Sequence, residues 1–598
     1  MPTLTLRRRP LPLPPPTTAW PVGVPAALQR VYAARGITDA AAVEHRLARL
    51  LPPQALGGID AAVALLADAI AADADILIAG DYDCDGATGV AVGVRGLRLL
   101  GARRVRYAVP HRRVHGYGLT PALVASLAPL PDLIVTVDNG IASHAGIIAA
   151  RAGGARVIVT DHHLPGPTLP VADAIVNPNL PGDAFPSKAL AGVGVMFYLL
   201  LALRAALRQR GAWAGQGEPD LTELLDRVAL GTVADLVPLD YNNRVLVEAG
   251  LRRIRGGRAC AGIGALIDVA GRRAATLTAT DLGFALAPRI NAAGRMEDMR
   301  LGIECLLGDD PGVAREQAAH LHAINAERRE VQAAMVADAE VMTAVAMIGD
   351  GIAGVPDGLP SVTLGGLPAV VPQGPPSVVG VALFDPAWHA GVVGLVASKL
   401  KESLHRPVVA FAPAGDGSDE LRGSARSIPG FHVRDALATV DARHPGLIRR
   451  FGGHAMAAGL SLRAADFARF AHAFDAVARG LLSDEALQPV LWTDGALQDG
   501  EFSLELARAL RDGGPWGQGF PEPLFDNVFE RVAWRPLGEG HWRLTLRATD
   551  GGDTLEAVMF NAGPAAPPAR LRAAYQLGIN EWQGRERLQL LLRHVEAA

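Results

Sequence analysis

Cysteine is scarce in this chain: three in 598 residues, at Cys84, Cys260 and Cys305. An odd, widely spaced set provides neither a disulfide framework nor a zinc-binding pattern. Cys84 stands between two aspartates and reads as a small packing residue, turned away from them by strand alternation. Net charge is slight as well, −4, so no global positive field points to a polyanionic partner. Any nucleic-acid contact must come from local basic surface. The N-terminus carries Arg7-Arg8-Arg9 and then a proline-rich run from Pro10 to Pro16, charge without the apolar core of a signal peptide. No apolar run is long enough to cross a membrane; the longest, around Val195 to Leu203, ends at Arg204 and predicts a buried helix. These absences point to a cytoplasmic protein with no membrane partner. Apolar residues at 49% and charged residues at 20% are ample for packed cores. The length suggests about three or four domains.

Carboxylates at strand ends are the strongest positive signal. The apolar run Ile76-Leu77-Ile78-Ala79 leads into Gly80-Asp81-Tyr82-Asp83-Cys84-Asp85-Gly86, which places three aspartates on alternate residues. Val135-Thr136-Val137 runs into Asp138-Asn139-Gly140, and Val157-Ile158-Val159-Thr160 into Asp161-His162-His163. So many carboxylates on short turns repel one another and lose solvation, so the cluster calls for a compensating cation. Carboxylates with imidazole suit hard or borderline divalent ions, and this many ligands suit two of them. A lone strand-end aspartate is more often a helix N-cap. Asp81, Asp83 and Asp85 cannot all cap one helix, which favours the metal reading.

Short apolar runs alternate with helical stretches from Asp75 to Val176, with strands expected at Ile76–Ala79, Val105–Val109, Leu133–Val137, Val157–Thr160 and Ala174–Val176. That pattern predicts an α/β fold with a mainly parallel sheet, whose ligands lie beyond the carboxyl ends of the strands. The stretch from Leu221 to about Arg300 reads as largely helical. Val313 to Ile348 contains no glycine or proline and predicts one long connecting helix. Residues 350–377, dense in both, read as a surface insertion. A second α/β domain follows, with strands at Val378–Phe384, Pro407–Phe411 and Gly423–Ser427 and a helix opening after Trp388–Gly394. Five strands are expected after Val528: Val528–Arg535, Trp542–Arg547, Thr554–Phe560, Tyr575–Asn580 and Arg587–Val595, with a turn at Asp550–Asp553. Five short strands in so few residues fit a small OB-like β-barrel. Within it Trp542, Leu544 and Leu546 alternate with Arg543, Thr545 and Arg547, so Arg543 and Arg547 share an outer face open to DNA phosphates or to solvent.

Asp81–Gly86 (DYDCDG), Val137–Gly140 (VDNG), Thr160–His163 (TDHH) and Gly231–Leu239 (GTVADLVPL), with Gly452-Gly453-His454-Ala455 farther on, occur in an order that resembles the DHH phosphoesterase superfamily, and within it the bacterial single-strand exonucleases. The resemblance runs from about residue 50 to about 595. It divides the chain into an N-terminal extension (1–50), a DHH domain (51–310), the long helix (311–349), the insertion (350–377), a DHH-associated substrate-binding domain (378–482) and a linker with an OB-fold domain (483–598). It implies Asp83, Asp85, Asp138, His162 and Asp235 as ligands of two divalent ions, Mn2+ or Mg2+, with Asp138 bridging. Asp81 ligates or orients water from behind the ligands, and His163 faces the scissile phosphate, which makes these two the catalytic candidates. Arg112, Tyr117, Arg289, Asn291 and Arg295 are implied contacts to the strand; Ser424, Arg426, Gly452, Gly453 and His454 are implied to hold a terminal 5′ phosphate.

The activity implied is 5′-to-3′ hydrolysis of single-stranded DNA to 5′-mononucleotides by a monomer acting in recombination and repair. A single-strand-binding protein and a RecQ-type helicase are implied partners. Two rivals stand beside it: a nanoRNase or cyclic-dinucleotide phosphodiesterase of the same superfamily, which lacks the terminal barrel, and a non-catalytic replisome scaffold, which need not keep the acidic cluster.

Overall fold

The computed structural model describes residues 4–11, 20–21, 23–111, 114–215, 217–348, 378–415, 417–538, 540–549, 552–563 and 565–598. Arg112, the 350–377 stretch and the start of the Asp550–Asp553 turn lie outside the described residues. The chain forms two compact units: Arg8–Asn325 with Trp492–Ala598, and Met1–Arg7 with Ala326–Leu491.

The first unit is built on a five-stranded sheet in the order Val105–Ala108, Ile76–Ala79, Leu133–Val137, Arg156–Thr160, Ala174–Val176. Every neighbouring pair is parallel. Ile76–Ala79 and Leu133–Val137 are buried at every position, as befits strands covered on both faces. Ile76 and Ile78 face one core with the helices Cys84–Leu99 and Gly192–Gln209. Leu77 and Ala79 face another with Pro121–Ser126 and His144–Ala152. The helix Gly192–Gln209 is long and apolar enough to cross a membrane. It lies instead in the core, with Val193, Phe197 and Leu200 at most 2% exposed, as the sequence predicted. Strand order reverses between Ile76–Ala79 and Leu133–Val137, and the crevice beyond the carboxyl ends at such a switch point is where this architecture binds ligands.

The terminal strands Phe525–Pro536, Trp542–Ala548, Thr554–Met559, Arg570–Trp582 and Arg585–Ala597 close into a barrel. Trp542, Leu544 and Leu546 point inward and Arg547 is exposed, so the predicted alternation holds. Arg543 on the same outer side pairs with Glu556 at 3.0 Å.

The barrel and the first domain share one continuous apolar core. Tyr32, on the helix Ala26–Ala33, stacks on Trp20, Trp516 and Phe520. Arg35 and Asp494, each about 2% exposed or less, form a buried ion pair at 2.7 Å, and the Leu239 N–H donates to the Gln518 carbonyl at 2.7 Å. From Arg8 and from Trp492 onward, the segments read as N-terminal extension and linker are therefore structural parts of this unit.

In the second unit the sheet order is Arg450–Gly453, Ala457–Arg463, Glu420–Arg426, Val408–Pro413, Val381–Phe384. Only the last pair is parallel. The connecting helix runs from Pro311 to Ile348, 38 residues, close to the span that its composition predicted.

Candidate metal centre

Asp81, Asp83 and Asp85 do not continue the strand. The chain leaves Ala79, turns, and starts the helix Cys84–Leu99 with Asp83 as its N-cap. The Asp83 Oδ1 accepts the N–H groups of Asp85 and Gly86 at 2.9 and 3.1 Å, and Asp81 Oδ1 accepts that of Asp83 at 3.1 Å. Capping thus holds for one of the three, and helical geometry rather than strand alternation orients Cys84, which is buried at 1% exposure. Asp85 faces a second helix: its carboxylate accepts the N–H groups of Gly192 and Val193 at 2.6 and 2.9 Å, at the positive end of Gly192–Gln209.

Two glycines allow this convergence. A Cβ on Gly192 would lie 2.5 Å from Asp138 Cβ, and one on Gly231 would lie 2.1 Å from Thr88 Oγ1 and 3.0 Å from Asp85 Oδ1. The next strand end supplies Asp138 with φ 61°, a left-handed conformation that Asp and Asn tolerate better than other side chains. Asn139 holds it there by donating from Nδ2 to the carbonyls of Ala79 and Val137.

The candidate ligands come together. Asp81, Asp83 and Asp138 form one cluster, Asp85, His162 and Asp235 a second, and Asp138, His162 and His163 a third; within each, the ligand atoms lie within 4.8 Å of one another. His162 Nε2 is 3.0 Å from Asp138 Oδ1 and 3.4 Å from Asp235 Oδ2. Asp138 and His162 each belong to two of the clusters. The Asp138 Oδ1 is buried and, among the described residues, accepts no hydrogen bond.

Burial and mutual repulsion push the carboxyls of Asp81, Asp138 and Asp235 well above the usual range, and that of Asp85 up to about 7. Without a cation such a cluster cannot be fully ionised at neutral pH. A set of oxygen donors with one imidazole fits Mn2+ or Mg2+.

His163 is held differently. Asp161, 1% exposed, accepts the His163 N–H at 3.1 Å and sits 2.7 Å from the ring Nδ1; its other oxygen accepts the Ile141 N–H at 2.9 Å. Burial raises the Asp161 carboxyl, but the hydrogen bond and charge of His163 outweigh it and hold it below its ordinary value. Burial likewise lowers the His163 imidazole, and its bond to Asp161 with the nearby carboxylates carries it above its ordinary value. Asp161 is a positioning residue that motif reading passed over, although it is the first letter of the Asp-His-His triplet.

The Tyr117 hydroxyl donates to the Asp138 carbonyl at 3.1 Å, and its ring meets Tyr82 and His163 edge-on at 5.7 and 6.4 Å. Asn291 Oδ1 accepts the Cys84 N–H at 2.8 Å, so its amide carbonyl fastens the helix Ala287–Met296 to the acidic turn. Arg289 donates to the Val269 carbonyl at 3.5 Å and reaches His322 at 3.1 Å, and Arg295 is half-buried on the same helix.

In the second unit, strand register aligns Gly452, Gly459 and Ser424 across three strands and places Arg426 opposite Ala457. The Arg426 guanidinium donates to Ser424 Oγ, Ser398 Oγ and the Ala425 carbonyl at 2.9, 3.1 and 2.8 Å. Burial lowers its pKa. A half-buried cation held by hydroxyls and a carbonyl is prepared for an anion. Gly453, at φ 136°, and the exposed His454 close that edge.

A parallel sheet whose switch-point crevice gathers five aspartates and a histidine, with a second histidine held facing it, defines a metal-dependent phosphoesterase. Family models agree: the DHH family N-terminal domain matches residues 75–232, the DHHA1 domain 376–480 and the RecJ OB domain 493–594. The single-stranded-DNA-specific exonuclease RecJ of Dickeya dadantii is 48% identical over 597 residues, 99% of this chain and 98% of that protein. Two crystal structures of RecJ from Thermus thermophilus also match. The complex with Mn2+ has a TM-score of 0.76 at 31% identity over 96% of this chain and 76% of that one. The complex with Mg2+ has a TM-score of 0.72 at 30% identity over 96% and 75%. The chain belongs to the RecJ family of single-stranded-DNA-specific exonucleases.

Proposed function

We propose that this protein degrades single-stranded DNA from its 5′ end, releasing 5′-mononucleotides by metal-dependent phosphodiester hydrolysis in recombination and repair. The observation that carries the proposal is the buried carboxylate cluster around Asp138, which bound cations would allow to ionise fully at neutral pH, in a chain that also has the family's terminal barrel.

Asp83, Asp85, Asp138, His162 and Asp235 would hold two divalent ions, with Asp81 closing the Asp138 side. When bound, such ions activate a water, polarise the phosphate and offset the charge of its transition state. His163 presents Nε2 to the phosphate as a proton donor, and Asp161 fixes its tautomer and favours its charged form. Tyr117 offers a ring face at the mouth of the centre. Arg426 with Ser424 and the Gly452-Gly453-His454 edge receives the terminal 5′ phosphate. Arg289 and Arg295 contact the strand, with Arg543 and Arg547 as outlying phosphate contacts. Base identity is read weakly, because these groups meet phosphates and ring faces. A single-strand-binding protein and a RecQ-type helicase would present the strand to a monomer in the cytoplasm.

The direct test uses end-labelled single-stranded DNA, duplex DNA and short RNA, each with Mn2+ and with EDTA. Mononucleotide release from single-stranded DNA alone, abolished by EDTA, is expected. Preference for short RNA would replace this reading with that of a nanoRNase.

A further inference from the structure

Two large apolar side chains are exposed on elements that adjoin the candidate metal centre. Phe284 is 78% exposed and Leu236 65% exposed. Leu236 directly follows the candidate ligand Asp235, which ends the helix Leu225–Ala234. Its φ is 60°, a left-handed conformation disfavoured for a residue with a Cβ. Phe284 belongs to a π-helical turn, Leu282–Leu286, that feeds straight into Ala287–Met296. That helix is pinned to the metal-binding turn by Asn291 at Cys84 and by Gly294, where a Cβ would lie 2.0 Å from the Tyr82 carbonyl.

The two residues belong to neighbouring walls. The Cβ position of Gly283, next to Phe284, is 3.1 Å from Val233 Cγ1, two residues before Asp235. Exposing a Phe costs hydration free energy, and the folded chain keeps Leu236 in a strained conformation with its side chain outward. Neither arrangement contributes to the core. Both fit a surface that becomes covered when substrate arrives. π turns recur at functional sites because the extra residue redirects the side chains around it.

We propose that Phe284 and Leu236 form an apolar shelf on which an unpaired base of the substrate strand stacks as its phosphate approaches the metal centre. The occupant is a nucleobase because the shelf adjoins the ligand Asp235 and leads along one helix to Arg289 and Arg295, so a strand bound by its phosphates lays its bases along it. Such a shelf favours single strands: a paired base is stacked on its neighbours and has no free face to offer, whereas any unpaired base has one. Phe284 and Leu236 are thus specificity-determining residues that make no contact with the reacting atoms. The inference rests on the exonuclease reading above.

The test combines variants with substrates that lack one base. Single-stranded oligonucleotides carrying one abasic position, moved stepwise from the 5′ end, are compared with the intact oligonucleotide for wild type, Phe284→Ala, Phe284→Tyr and Leu236→Gly. Wild type should show a rise in KM at one register, roughly 5- to 150-fold, the span of a lost base–aromatic stack. Phe284→Ala should raise KM on the intact strand by a similar factor and show no dependence on the abasic position. Phe284→Tyr should restore the wild-type profile. Leu236→Gly, which relieves the left-handed strain and so keeps its Tm, should flatten the profile in part. A wild type active on single strands but indifferent to abasic position, or a Phe284→Ala variant with the wild-type profile, overturns the shelf and leaves the exonuclease reading standing. Absence of activity on any single strand overturns the exonuclease reading itself.

Discussion

At the scale of single residues, Asp138 carries the most. It joins two ligand clusters, and its left-handed φ of 61° makes asparagine the appropriate replacement, since alanine would add backbone strain to the loss of charge. Asp138→Asn should lower exonuclease turnover below about a hundredth of wild type, on the scale of losing a principal electrostatic group. In EDTA at pH 8 its Tm should match or exceed wild type, because one repelling charge is gone. Turnover near wild type with Mn2+ would remove Asp138 from the bridging position. His163→Ala should cut turnover by roughly 100-fold while calorimetry finds metal binding little changed. Loss of a bound metal would instead make His163 a ligand. The sequence pointed to the acidic residues that the fold brings together, because three aspartates on alternate residues cannot all cap one helix. It concealed Asp161, whose work is to hold a neighbour, and it concealed Gly192 and Gly231, whose role is visible only where two helices meet the acidic turn. It also misassigned the geometry of Cys84, because a run of alternate aspartates looks like a strand until a helix is seen to start at Asp83.

At the scale of elements, the sheet of the second unit makes the sharpest separate claim. Antiparallel register brings Gly452, Gly459 and Ser424 into one row, and Arg426 is held by hydroxyls and a carbonyl. If the row and Arg426 receive a terminal phosphate, Arg426→Ala should slow hydrolysis of 5′-phosphorylated strands more than that of 5′-hydroxyl strands. The difference should be roughly 10- to 150-fold, the span of a charge-assisted bidentate contact. Equal losses on both substrates would assign Arg426 to an internal phosphate or to the fold. Most element positions could be read from the chain, since wholly apolar strands such as Ile76–Ala79 and a long stretch without glycine or proline have strong local signatures. The shared core of barrel and first domain could not. Tyr32 lies far in sequence from Trp516 and Phe520, and nothing local to it announces that it stacks on them.

At the scale of the whole molecule, the acidic centre couples stability to pH and metal. The carboxyl of Asp85 is raised from 3.8 to about 7, and those of Asp81, Asp138 and Asp235 are also raised well above the ordinary value by burial and mutual repulsion. In the unfolded chain these groups lose their protons near pH 4 at no cost. The metal-free folded state therefore binds more protons than the unfolded state from about pH 4 through 7 and above, so stability falls as pH rises through that window. Asp526, held below its ordinary value by Arg8, Thr493 and Arg572 against the raising effect of burial, works in the opposite sense. Its contribution is complete above about pH 4 and is lost only in stronger acid. In EDTA the Tm should therefore decline between pH 5.5 and 8.5, by about 5 °C or more, as a few kcal/mol imply for a unit of this size. Saturating Mn2+ replaces proton binding with metal binding, so the increment in Tm on adding metal should grow with pH over the same window. Asp138→Asn should flatten the decline in EDTA, because fewer charges then meet in the crevice. A metal-free Tm that rises across this range would mean that the carboxylates are already compensated by the protein, and the requirement for two cations would lose its electrostatic basis.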